Sequence, residues 1–453
     1  MADVRQTQFV TAILYQNSEN TVTLLDIPRS IALAQGTPEG LPTVQNYSSQ
    51  PLEAPYPSTE PKSEKAKANV LQRKGSSDTT LHFPETTLRQ ALAEIAEHYD
   101  DDWCLPRKIS PFAVKRSKKP TFEEPAQPVL SIRHRDPGPP LGSLSPAEGS
   151  KAAKISKHFC LRTEPDLRIP EEMFQSRRLR EPLVLCAGFM PGKSTCQNLN
   201  PQSIANRLVC NPIATPISLQ CSNFRYIIPP NAMFLLSKIG QATALSMAAL
   251  TMLPDASTTA GPGQFDFILL DPPWENRSVR RSAIYETTSN SHPMAVLQGM
   301  LGQHIAPEGL VACWVTSKAS TRDAALEAFD NWNVQLIEVW AWLKTTVYGV
   351  PVTEIEGLWR MPYELLLVGR RDNKGSHSPY ESARTRVMVA VPDIHSQKPN
   401  LKEIIEPFLP PRYRALEIFA RNLTAGWFAW GDEVLKYSWE GYWPQTEDVV
   451  GED

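Results

Sequence analysis

Four consecutive residues carry the most chemistry in this chain: Asp271-Pro272-Pro273-Trp274, directly after the apolar run Phe265–Leu270 (FDFILL). Two prolines cannot extend a β-ladder, so the tetrapeptide must stand at the C-terminal end of a buried strand. Asp271 offers a carboxylate acceptor. Pro273 has no N–H, which leaves the Pro272 carbonyl free as a second acceptor. Trp274 offers a flat apolar face the size of a nucleobase. Two acceptors beside an aromatic plate make a receptor for a planar molecule bearing an –NH₂ group, and the exocyclic amine of adenine satisfies that description. Such an amine is a poor nucleophile, because its lone pair is delocalised into the ring. Holding both N–H bonds favours a pyramidal nitrogen and aims the lone pair at an electrophile such as a sulfonium methyl, with positioning as the main catalytic term. The nitrogen becomes strongly acidic as it is alkylated, so either Asp271 or water can take the proton. Taken alone, the same four residues also describe a proline turn with Trp274 as core filling.

The surrounding sequence supplies elements that could position this motif. From about residue 210, strand-like runs at Phe265–Leu270, Leu310–Thr316, Val334–Trp342, Tyr363–Val368, Arg386–Val391 and Ala415–Ala420 alternate with helical patterns at Ser237–Leu253, Arg322–Trp332 and Leu401–Phe408. Asn400 and Glu403 are spaced as an N-cap pair for the last helix. This alternation predicts an α/β sheet with helices on both faces, and such sheets bind ligands at the C-terminal ends of their strands. Trp340 and Trp342 share one strand face and read as core, as do Trp427 and Trp430.

Towards the N-terminus, residues 8–34 alternate around a polar turn and predict a β-hairpin. Residues 36–80 have linker composition, and Thr86–Tyr99 has helical spacing. A basic cluster (Arg107, Lys108, Lys115, Arg116, Lys118 and Lys119) reads equally as a nuclear import signal or an arm that holds nucleic acid. The predicted organisation is an N-terminal region at 1–120, a disordered linker at 121–155, a middle region at 156–209, the α/β domain at 210–440 and a tail at 441–453.

The segment 271–282 (DPPWENRSVRRS) resembles the eukaryotic adenine-N6 methyltransferases that write N6-methyladenosine, the MT-A70-like family, and specifically their methyltransferase-like-four branch. Further matches follow in order: 226–239 (YIIPPNAMFLLSKI), 340–344 (WAWLK), 363–370 (YELLLVGR), 395–399 (HSQKP) and 416–435 (LEIFARNLTAGWFAWGDEVL). The resemblance spans roughly Tyr226 to Tyr437, close to half the chain. The resemblance implies a Rossmann-like fold of the permuted (class beta) type, in which the acceptor motif precedes the cofactor motif, and S-adenosylmethionine as cofactor. It places the cofactor across the strand ends at Leu270 and Phe419. Ile239, Asp271, Lys398, Glu417, Phe419, Arg421 and Asn422 then approach it, and Asp432 and Glu433 approach its ribose hydroxyls. It gives Asp271, Pro272, Pro273 and Trp274 the catalytic role. Substrate contacts fall to Trp274, Asn276, Arg277, Arg280, Arg281 and Lys344.

Three arginines directly after the motif suit the phosphates of a nucleic acid, although a solvated basic loop has the same composition. Lys344 serves equally as a backbone contact or as a snorkelling surface lysine. Two positions depart from the branch. Asp432 stands where asparagine is usual. Lys238 stands where an acidic residue commonly reads the cofactor adenine, and lysine cannot accept a hydrogen bond, so Ser237 or a backbone carbonyl must substitute or cofactor affinity falls.

Composition narrows the class. The 453 residues carry a formal net charge of −3, with 25 Lys+Arg against 23 Asp+Glu in residues 1–200 and 21 against 26 in the rest, so any nucleic-acid site is a local patch. Seven cysteines with no C-x-x-C spacing argue against a disulfide scaffold or zinc knuckle and for a reducing compartment. The histidines show no ligand spacing, and no metal is expected. The first residues lack a signal-peptide pattern, and the longest apolar run, Ala242–Leu253, is too short to span a bilayer.

The expectation is a nuclear, monomeric catalytic unit acting on RNA, with 2′-O-methyladenosine in small nuclear RNA as one target and DNA as the alternative. Three other readings use the same residues: a pseudoenzyme that scaffolds RNA, a methyltransferase for a small molecule or protein amide, and a nuclear adaptor working through its N-terminal half.

Overall fold

Strand Phe265–Leu270 is buried at all six positions, the signature of a strand covered on both faces. It forms the centre of the sheet in a computed structural model that describes residues 11–36, 45–74, 83–109, 182–185, 196–239, 260–274, 293–358, 360–372 and 383–444. The strands in chain order are β1 (Ile13–Gln16), β2 (Val22–Leu25), β3 (Leu183–Val184), β4 (Cys196–Leu199), β5 (Leu208–Cys210), β6 (Ile217–Cys221), β7 (Phe224–Ile228), β8 (Met233–Leu236), β9 (Phe265–Leu270), β10 (Ile305–Val315), β11 (Val334–Lys344), β12 (Tyr363–Arg371), β13 (Arg384–Ala390), β14 (Ala415–Ile418) and β15 (Phe428–Gly431). Twelve of them form one mixed sheet in the order β1-β2-β13-β11-β12-β10-β9-β14-β15-β8-β5-β3, and β4-β6-β7 form a small second sheet.

Around β9 the sheet is parallel: β10 and β14 flank it, and β15 and β8 continue in the same direction. The chain leaves β9 towards β10 on one side and later returns through β14 on the other. That reversal is a topological switch point, where open α/β sheets bind ligands. β12 runs antiparallel, which brings its first residues to the same edge as the last residues of its neighbours.

Alternating side chains divide the core into two layers. One holds Phe267, Trp314, Trp340, Trp342 and Trp427 against the helices Ile27–Leu33 and Lys402–Ile405 and the small sheet. The other holds Ile268, Leu270, Cys313 and Trp430 against the helices Glu85–His98 and Ala319–Asn331. Helices thus cover both faces, and the four tryptophans read as core are all buried.

The six predicted strands are present, with shifted ends: β10 begins at Ile305 and β12 runs to Arg371. The expected hairpin is β1-β2, but its second arm stops at Asp26, which caps the helix Ile27–Leu33 by accepting the Arg29 N–H. Ahead of the Lys402–Ile405 helix, Asn400 Oδ1 does accept the Lys402 N–H. Glu403 does not complete the pair, because it turns to Thr11 and the Ala12 N–H.

Three sequence expectations need correcting. First, the boundary at residue 210 is not an edge of the structure. β2 pairs in parallel with β13, and β5 and β3 extend the same sheet on its far side. Without β2, β13 would expose an unpaired ladder. Second, the described part of the presumed linker is docked. Tyr47 N–H donates to Tyr442 O at 2.7 Å, Tyr56 N–H to Val352 O at 2.9 Å, and residues 64–74 are helical. Its proline- and serine-rich composition hides this, because the attachment is made by backbone groups. Third, Arg107 is not part of an exposed basic arm. Its side chain is 1% exposed and paired at 3.7 Å with Asp393, itself 0% exposed. It also donates to Val391 O and Pro392 O, both at 2.8 Å. Lys108 lies over the Tyr47 ring. Lys115, Arg116, Lys118, Lys119, the linker at 121–155 and the apolar run 242–253 lie outside the described residues.

Candidate active site

The parallel strands around β9 bring four chain segments to one edge: Asp271 after β9, Phe419–Asn422 after β14, Asp432–Glu433 after β15 and Ser237–Ile239 after β8. Lys344 at the end of β11 and Glu364 near the start of β12 arrive at the same edge, because β12 runs the opposite way. β13 ends at Ala390, and the chain continues from it through the Arg107–Asp393 corner to Lys398.

Asp271 is the hub. Its N–H is held by Ile418 O at 3.2 Å. Lys398 Nζ donates to Asp271 Oδ1 at 2.9 Å and also faces Glu364 Oε2 at 3.2 Å. Arg421 Nη1 stands 3.8 Å from Asp271 Oδ2, while its Nε donates to Glu433 Oε2 at 2.8 Å. Lys436 Nζ takes the other oxygen of Glu433 at 3.3 Å. Lys344 Nζ closes the network by donating to Glu364 Oε1, with its ammonium 4.4 Å from the centre of the Trp342 ring.

The electrostatics follow from this wiring. Burial works against charge on Lys398, but Asp271 and Glu364 outweigh it and hold its pKa above the usual lysine range. Burial likewise opposes ionised Glu364 and Glu433, and their paired cations overcome it, so both carboxyls titrate below the usual range. Glu417 has only Arg421 to oppose its burial, and the cation is outweighed. Burial first, and then the Asp271 carboxylate, push it up to about 8. Burial, followed by neighbouring Glu433, pushes Asp432 up to about 6, with Lys238 among the cations pulling it back.

A raised acid carries a linkage prediction. The stability that Glu417 contributes is fully present below its ordinary 4.5 and is lost as pH rises towards about 8, because over that window the folded chain keeps a proton that the unfolded chain has released. Glu417→Gln, a permanently neutral replacement, should therefore show a smaller fall in melting temperature between pH 6 and pH 8 than the parent. Equal slopes would contradict the assignment.

The backbone at this edge is tightly shaped. Phe419 has φ +63°, a left-handed conformation rare for an aromatic residue, where β14 turns into the Ala420–Asn422 segment. Opposite it, a Cβ on Gly431 would lie 2.8 Å from Ala420 O, so only glycine lets the two strand ends approach this closely.

Two expectations about the central motif change. The Pro272 carbonyl is not wholly free, since it accepts the Trp274 N–H at 2.8 Å and keeps one lone pair. The Trp274 indole is not an open plate: it is 7% exposed, and its Nε1–H donates to Trp314 O at 2.8 Å. A buried indole N–H needs an acceptor, and the neighbouring strand provides one. In this arrangement Trp274 braces the turn. Glu433 and Lys344 are likewise engaged with partners, which makes Glu433 an orienting group for Arg421. Asn276, Arg277, Arg280 and Arg281 lie outside the described residues.

Sequence reading missed two members of this assembly, Glu364 and the Arg107–Asp393 pair. Glu364 had a readable signal, a lone carboxylate in the apolar run YELLLV.

The donor set fits the methionine part of S-adenosylmethionine, an ammonium and a carboxylate on one carbon. Lys398 and Arg421 suit the carboxylate, and Asp271 suits the ammonium. Gln397 Oε1 and Asn422 Oδ1, adjacent in sequence to these two cations, are buried acceptors with no hydrogen-bond partner. Orphaned buried acceptors of this kind are what a hydrogen-donating ligand would satisfy. Among the described residues no cluster of His, Cys, Asp and Glu could hold a metal ion, and no helix is long and apolar enough to cross a membrane.

Comparison with known proteins points to one family. The sequence model of the MT-A70 family matches residues 265–433. The N6-methyladenosine RNA methyltransferase MTA1 of Pyricularia oryzae is 30% identical over 468 aligned positions, covering 96% of this chain and 97% of that protein. Its namesake in Cryphonectria parasitica is 42% identical over 190 residues, covering 40% of this chain and 55% of that protein. The N(6)-adenine-specific methyltransferase METTL4 of Homo sapiens is 34% identical over 233 residues, 49% of this chain and 46% of that protein. The chain thus spans nearly all of the first relative and about half the length of the other two.

Proposed function

The chain belongs to the MT-A70 family, in the branch of MTA1 and METTL4, and on that premise we propose that it transfers a methyl group from S-adenosylmethionine to the N6 amine of adenosine in nucleic acid, with RNA preferred. The observation that carries this reading is Asp271 at the end of the central strand, held between Lys398 and Arg421 at the switch point of the sheet. S-adenosylmethionine, when bound, supplies the electrophilic methyl group.

The protein's own residues do the rest. Asp271 and the remaining lone pair of Pro272 O accept the N–H bonds of the adenine amine and direct its lone pair. Trp274 fixes the turn that holds these acceptors, through its Nε1–H on Trp314 O. Glu433 and Glu364 orient Arg421 and Lys398, so the cations face the carboxyl group of the methyl donor without having to reorganise. Glu417, neutral near pH 7, can donate one hydrogen bond and adds no second negative charge beside Asp271. The RNA preference rests on the two fungal relatives, and a nuclear site of action is proposed on the sequence resemblance alone.

The test combines labelled S-adenosylmethionine with RNA oligonucleotides, some carrying 2′-O-methyladenosine, DNA oligonucleotides, free adenosine and a glutamine peptide. The expected product is N6-methyladenosine in RNA, identified by mass spectrometry of nucleosides. Methylated DNA alone would correct the substrate. Absence of donor binding at millimolar concentration in calorimetry would make the fold a scaffold.

A further inference from the structure

Among the described residues, Tyr348 is the most exposed large hydrophobic side chain, at 66%, with Val350 beside it at 47%. Both sit on the turn that follows Lys344. The turn is heavily fastened. Thr345 and Pro351 form an antiparallel bridge, Thr346 N–H donates to Val350 O at 2.8 Å, and Val352 N–H donates to Lys344 O at 3.0 Å. Thr346 Oγ1 accepts from the Tyr348 and Val350 N–H groups at 3.3 and 3.2 Å. From below, Val347 N–H donates to Leu52 O and Trp103 N–H to Val347 O, both at 2.9 Å. Gly349, with φ +74°, lies so close to the Trp103 ring that a Cβ would stand 2.7 Å from it. The backbone is thus immobilised on all sides while one aromatic ring projects into solvent.

The position of this ring matters. Lys344 shares Glu364 with Lys398, and Lys398 holds Asp271. Tyr348 follows Lys344 by four residues, no more than about 14 Å of chain. A rigid aromatic face at the rim of a nucleobase site loses little entropy on binding and meets any base through its π-face. Single-stranded substrates, whose bases are unstacked, are held in this way. Resting on the methyltransferase reading above, we propose that Tyr348 is a substrate-binding residue on which the base next to the target adenosine stacks.

Anisotropy with a labelled single-stranded RNA oligonucleotide, using the full chain, tests this without requiring turnover. Tyr348→Ala should weaken binding about five- to a hundredfold, within the range of a lost base stack. Tyr348→Phe, which keeps the ring, should bind as the parent does. An oligonucleotide with an abasic nucleotide placed in turn on each side of the target should, at one of the two positions, make parent and Tyr348→Ala bind alike. In turnover assays the alanine variant should raise KM and leave kcat and donor affinity unchanged. Equal binding by parent and Tyr348→Ala, a phenylalanine variant as weak as alanine, or no dependence on the abasic position would each overturn the proposal. So would a change of sedimentation behaviour in Tyr348→Ala with RNA binding intact, which would assign the turn to a protein contact. A chain that binds RNA through Tyr348 but transfers no methyl group would instead count against the methyltransferase reading alone.

Discussion

Asp271→Asn should lower methyl transfer by roughly two to four orders of magnitude while leaving the protein folded. The substitution keeps the side-chain shape and removes its charge. The amide offers one acceptor and presents a donor where Lys398 and Arg421 expect an anion. The fold survives because neither cation loses its other partner: Lys398 keeps Glu364 and Arg421 keeps Glu433. Circular dichroism should be unchanged, and single-turnover transfer to an RNA oligonucleotide should separate chemistry from binding. If the variant retains more than about a tenth of parental turnover, the carboxylate is not the grip on the amine and the proposed chemistry fails.

The largest effect on stability belongs to a residue in the corner that leads to Lys398. Arg107→Ala should destabilise the protein by about 3–5 kcal/mol, the usual consequence of leaving one member of a buried ion pair alone. Asp393 would remain in a site where its side chain is 0% exposed, with hydrogen bonds from Ser49 but no cation. The carbonyls of Val391 and Pro392 would lose their donors as well. Denaturant unfolding of the single variant and of Arg107→Ala combined with Asp393→Asn checks the mechanism. The second substitution should recover part of the loss, because it removes the stranded charge. Additive losses would show that packing dominates and the charge pair does not. This corner leads directly to Lys398, so reduced donor affinity in Arg107→Ala at temperatures where it remains folded would be the functional trace of the same defect.

Much of the site could be read from residue order alone, for a definite reason. A strand that ends in two prolines must place its next polar side chain at the sheet edge, and Phe265–Leu270 followed by Asp271 obeys that rule with identical bounds in the structure. Lys398 and Arg421 were legible through resemblance, and the structure brings both to Asp271. What escaped depended on long-range contacts. Nothing local to Arg107 separates it from the basic residues that follow it, and only the fold of a corner almost three hundred residues later buries it. The free indole expected of Trp274 failed for the same reason: its acceptor, Trp314 O, belongs to another strand. The docked segment 45–60 looked like linker because backbone hydrogen bonds leave no side-chain pattern to find.

The pairing of β2 with β13 also bears on how the molecule is made. Val22 finds its partner in Val387, on a strand translated long after it. Until then the opening hairpin exists as a nascent ribbon with one unpaired side, and contacts this distant in sequence form slowly. The β1-β2 hairpin is therefore locked into place only after β13 has been made.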